Sequence, residues 1–134
     1  AGSLPGVLVR NANIKFMCTA VHLRIDPSDT PFTRGYNAGS VIRVPVAHGE
    51  GNYIADAETI ARLEGENRVA FRYASTDGKV DPHFNGSMNA IAGIFSEKLN
   101  ILGLMPHPEN HVDPVVGPTD GRRLLESLVE TLAA

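Results

Sequence analysis

The sequence predicts an α/β layered domain. Three observations carry that expectation. Several short runs are rich in apolar and β-branched residues and are bounded by Gly, Pro, Asn and Ser, the pattern of strands. Two segments, one after Asp56 and one near the C-terminus, repeat apolar residues at helical spacing. The run Ile101-Leu102-Gly103-Leu104-Met105 is short, apolar throughout and stopped by Pro106, as suits a strand buried on both faces. Strands and helices of this kind stack in layers around one core.

Taken in order, Ala1-Gly2-Ser3-Leu4-Pro5-Gly6 reads as a Gly/Pro turn leading into Val7-Leu8-Val9. Residues 14–25 read as a long strand. Alternation puts Ile14, Phe16, Cys18, Ala20 and His22 on one face and Met17, Val21, Leu23 and Ile25 on the other, so both faces are expected to be covered. Residues 26–40, rich in Pro, Ser, Thr and Gly, form a loop long enough to bind something or to move. Residues 41–47 make a strand in which Pro45 argues for an edge or a bulge. Asp56 caps a short helix with Ile60 and Leu63 on its buried face, ending near Gly65. Residues 69–74 and 89–95 are strands, separated by a polar stretch with turns at Asp77-Gly78 and Asn85-Gly86. A last helix runs from Thr119 or Asp120 to Leu132, its stripe made of Leu124, Leu125, Leu128, Val129 and Leu132. Two helices are too few to cover a sheet of about five strands on both sides.

At 134 residues the chain is read as one domain, 1–134, large enough for a real core. A net charge of −3 gives no reason to expect nucleic acid or an anionic membrane as partner. One cysteine excludes an internal disulfide framework and suits a reducing, cytoplasmic compartment. No apolar run approaches the ~20 residues that cross a bilayer, and the N-terminus lacks the order of a signal peptide.

The chemistry concentrates after Pro106. Met105 and His107 each precede a proline, which disfavours the α region, so the chain is expected to stay extended through Glu109. In an extended chain His107 and Glu109 point to the same side, at the end of a buried strand where α/β sheets bind ligands. A base with an orienting carboxylate is two thirds of a nucleophilic triad. The same residues also fit a metal site: His107, Glu109 and His111 alternate, and His48, Glu50 and His83 could add ligands for zinc or iron. A module that only docks onto a partner is the third reading.

Four stretches in order carry a resemblance: Gly6-Val7-Leu8-Val9-Arg10-Asn11; Pro45-Val46-Ala47-His48-Gly49-Glu50-Gly51-Asn52-Tyr53; Asn85-Gly86-Ser87 with Ile91-Ala92-Gly93-Ile94; and Met105-Pro106-His107-Pro108-Glu109. Together they resemble the glutaminase subunits of phosphoribosylformylglycinamidine synthase, class I glutamine amidotransferases of purine biosynthesis, over nearly the whole chain. The resemblance implies a flavodoxin-like fold that hydrolyses glutamine to glutamate and ammonia. It implies a synthetase subunit and a small accessory subunit as partners, with ATP and Mg used by the synthetase and no cofactor in this chain. It implies catalytic roles for His107 and Glu109, and a place near bound glutamine for His48, Gly49 and Glu50. The family's nucleophile lies in a Gly-x-Cys-Asn-Gly elbow upstream of Ala1. Cys18 sits in a β-patterned run without the glycines that a strained elbow needs, and is expected to be an inert core residue. The chain is therefore expected to be the C-terminal part of the domain and inactive alone. A second departure is His83-Phe84 ahead of Asn85, where the family usually reads Asn-Pro.

Overall fold

The computed structural model describes residues 4–26 and 29–134; Ala1, Gly2 and Ser3 of the N-terminal turn, and Pro27 and Ser28 of the long loop, lie outside the described residues. Its elements run β1 (Val7–Val9), β2 (Met17–Ile25), β3 (Val41–His48), β4 (Asn52–Ile54), α1 (Ala57–Gly65), β5 (Val69–Ala74), β6 (Ile91–Phe95), β7 (Leu102–Leu104) and α2 (Arg122–Ala133). A five-stranded sheet has the order β3-β2-β5-β6-β7, and every pairing in it is antiparallel. β1 and β4 make a separate antiparallel ribbon.

The sheet curls. Met105 N–H bonds to the Ala92 carbonyl on β6, and His107 N–H bonds to the Pro45 carbonyl on β3, at 3.2 and 2.8 Å. Two residues span at most about 7 Å. The ends of strands that lie four places apart in the order must therefore come together. The concave side holds the main core: Val21, Leu23 and Ile25 of β2, Ile42, Val44 and Val46 of β3, Phe71 and Tyr73 of β5, Phe95, and Leu124 of α2. α1 and the ribbon cover a second cluster of Tyr53, Ile60, Leu63, Val69, Ile91 and Ile94. Asp56 caps α1 as expected, accepting from Thr59 N–H at 2.8 Å.

Arg72, buried on β5, ties α1 to the sheet. Its guanidinium reaches Asp26 at 2.5 Å and Glu64 of α1 at 2.6 Å, and donates to the Asn89 carbonyl. Asn89 and Ala90 both have positive φ, so β6 starts at Ile91 rather than 89.

Four further expectations need correction. β2 starts at Met17, because Ile14 turns away with φ of 60° and is exposed. Its second face is only half covered, and Cys18 on it is exposed, not a core residue. β7 is an outer strand with half-buried residues, not one buried on both faces. On α2, Leu124 and Ser127 are buried while Leu125, Val129 and Leu132 are exposed, so the buried stripe is narrower than the periodicity suggests.

Candidate active site

The His107–Glu109 pair forms, though not by extension. Pro108–Asn110 is a single 3₁₀ turn, entered from His107 at φ −112° and ψ 74°. Proline's fixed φ suits the first position of such a turn as well as it suits a strand. The turn carries Glu109 back, so that Oε1 lies 2.8 Å from His107 Nδ1. A carboxylate only accepts, so Nδ1 holds the proton and Nε2 is left as the basic nitrogen. The two side chains are 38% and 54% exposed, open to a ligand from solvent.

His48 closes β3 beneath this pair. It is buried, and neither ring nitrogen has a hydrogen-bond partner among the described residues. Burial lowers its pKa below the ordinary histidine value, and a positive charge on His107 would push the same way. The His48 ring packs against Gly51, where a Cβ would stand 2.2 Å from its Cε1. Gly49 is half-buried and Glu50 exposed.

Asn11 holds this loop from below. It is buried, its Nδ2 donates to the carbonyls of His48 and Lys15, and its Oδ1 accepts from Gly51 N–H, all at 2.9–3.0 Å. Its own N–H bonds to the Gly49 carbonyl. Asn85 and Ser87 grip from the other side. Both donate to the Gly51 carbonyl, and Asn85 Oδ1 accepts from Ser87 N–H. Ahead of Asn85, the Phe84 ring packs on Tyr73 at 4.5 Å. Asn11, Asn85 and Ser87 have no role that the sequence alone assigns. Their burial, which only the structure shows, is what marks Asn11 and Asn85. Asn11→Ala strands three loop groups at once, and is expected to lower stability by about 1–3 kcal/mol in urea unfolding.

Other candidates separate. His111 turns to the Arg43 carbonyl, His83 is exposed, and His22 is half-buried on β2. Among the described residues no group of three His, Cys, Asp or Glu side chains gathers at metal-binding spacing. Tyr36 of the long loop bonds to the Asp120 carbonyl, and burial pushes its hydroxyl pKa up to about 12. Arg34 pairs with Asp29. No helix among the described residues is long and apolar enough to cross a membrane.

A family model for the CobB/CobQ-like glutamine amidotransferase domain matches residues 4–127. The chain belongs to this family. Among its relatives in the amidotransferase family, subunit PurQ of phosphoribosylformylglycinamidine synthase from Bradyrhizobium diazoefficiens is 63% identical, over 98% of this chain and 58% of that protein. PurQ of Thermus thermophilus is 54% identical, over 99% of this chain and 59% of that protein. A solved structure, that of PurLQS from Thermotoga maritima, superposes with a TM-score of 0.81 at 37% identity, covering 98% of this chain and 55% of that one. The chain thus spans less than three fifths of the length of these relatives.

Proposed function

We propose that this chain carries the acid–base half of the glutaminase of phosphoribosylformylglycinamidine synthase. The observation that carries the reading is the 2.8 Å pair of His107 and Glu109, in an amidotransferase family whose similar members are PurQ subunits. In this reading a cysteine thiolate attacks the glutamine side-chain amide. An S–C bond forms, the C–N bond breaks, and His107 Nε2 passes the thiol proton to the departing ammonia. Water then cleaves the thioester, with His107 as base, and glutamate leaves. Glu109 fixes the tautomer and steadies the imidazolium. His48, Gly49 and Glu50 lie beside the bound glutamine.

The nucleophile belongs to residues outside these 134, in a domain of which this chain, with its all-antiparallel sheet, is the C-terminal part. Cys18 is unsuited: it pairs with Ala47 within a regular antiparallel ladder, one pair in from its end, with no sharp turn to present it. Several observations support a larger domain. Val7 and Leu8 of β1 and Leu125, Val129 and Leu132 of α2 are exposed, and an apolar cleft of about 400 Å³ runs between β1 and the β6–β7 edge. The partners are a synthetase subunit that uses ATP and Mg, and a small accessory subunit, in the cytoplasm.

The test joins this chain to the residues that the Bradyrhizobium relative has beyond the match, and adds synthetase and accessory subunits. Formylglycinamidine ribonucleotide is expected to form from glutamine. Product from free ammonia but never from glutamine would refute the reading.

A further inference from the structure

β3 is an outer strand, so at alternate residues its polar groups face away from β2. At Arg43 and Pro45 the outward groups are one N–H and two carbonyls, since proline has no N–H. All three are taken. Arg43 N–H donates to Asp120 Oδ2 at 2.7 Å, the Arg43 carbonyl accepts from His111 Nδ1 at 2.9 Å, and the Pro45 carbonyl accepts from His107 N–H at 2.8 Å. A carbonyl only accepts, so His111 carries its proton on Nδ1. The loop is then closed on itself. Gly121 N–H donates to the His111 carbonyl at 3.0 Å, and Gly121 packs so closely on Pro108 that a Cβ would stand 1.9 Å from the Pro108 carbonyl oxygen. The 3₁₀ turn that swings Glu109 onto His107 is thus held between a strand edge and the start of α2.

We propose that His111 and Asp120 are positioning residues for the His107–Glu109 pair. They touch neither member. They fix the turn against β3, and the turn fixes the angle at which Glu109 meets Nδ1. The expected consequence for turnover rests on the glutaminase reading above. The positioning itself does not, because it is read from hydrogen bonds within the chain.

The experiment is side-chain ¹⁵N NMR of the chain near pH 8.5, about two units above the ordinary histidine pKa. A free imidazole prefers its proton on Nε2, whereas His107 paired with Glu109 holds it on Nδ1. Wild-type chain is expected to show the Nδ1–H form, and Glu109→Ala to lose it. If Glu109→Ala changes nothing, the pair itself is refuted, and the function reading with it. His111→Ala and Asp120→Ala are each expected to shift most of the population to Nε2–H. His111→Asn places an amide N–H where Nδ1 was, and Asp120→Asn keeps an acceptor, so both are expected to retain the native form. Each change removes one hydrogen bond on the exposed side of the turn, and the backbone amide spectrum reports whether the fold persists. In active enzyme the alanine variants should lose on the order of 10–100-fold in kcat with KM unchanged. An unchanged His107 tautomer in both alanine variants, or asparagine variants no better than alanine, overturns the proposal.

Discussion

His107→Ala is expected to lower glutamine-dependent turnover by ~10²–10⁴-fold, the usual contribution of a positioned general base. The effect should fall on kcat, because the imidazole moves protons in the transition state and the glutamine contacts proposed for 48–50 are untouched. Glu109→Ala should cost less. Its carboxylate lies 54% exposed, so water can take over part of its bond to Nδ1. Activity fed with free ammonia should survive both changes, since ammonia bypasses the hydrolysis. Steady-state assays with each nitrogen source check all three outcomes, and a fall in ammonia-fed activity would mean that the substitution had damaged the assembly instead.

The largest expected loss of stability is at Arg72. Its guanidinium satisfies Asp26 and Glu64 and caps the Asn89 carbonyl. Arg72→Leu leaves Asp26, only 12% exposed, with Arg24 as its remaining ion-pair partner at 3.0 Å. Removing one member of such a buried network costs about 3 kcal/mol, measurable by chemical denaturation. The pH dependence has a definite sign. The hydrogen bond from Arg72 is the main cause holding the Glu64 carboxyl below its ordinary range. The unfolded chain, with a glutamate pKa near 4.3, takes up that proton first. The contribution is therefore complete above about pH 4.3 and is lost as pH falls through the lower folded value. In Arg72→Leu the acid limb of the stability curve should flatten.

The strands at 41–47 and 69–74 and the helix after Asp56 were legible, because alternation and a capping aspartate are local signals. Pro45 correctly marked an edge. What it could not tell was that His107, His111 and Asp120 would occupy that edge, since strand order and curl depend on contacts far apart in sequence. The meeting of His107 and Glu109 was foreseen with the wrong geometry. Pro108 fits an extended segment and the first position of a turn equally, and the hydrogen bonds that choose the turn come from β3 and Gly121. Cys18 was misplaced because alternation assigns a face and cannot say whether anything covers it. The stripe on α2 was read too wide for the same reason: periodicity shows which residues could be buried, and packing decides that Leu124 is while Leu132 is not.

Glutamine hydrolysis by the bare 134-residue chain, beside the same chain joined to the remaining segment of its Bradyrhizobium relative, puts the central claim to the most direct trial. Turnover is expected only from the joined protein, lost on His107→Ala and untouched by Cys18→Ala. Turnover by the bare chain that vanishes on Cys18→Ala would contradict it.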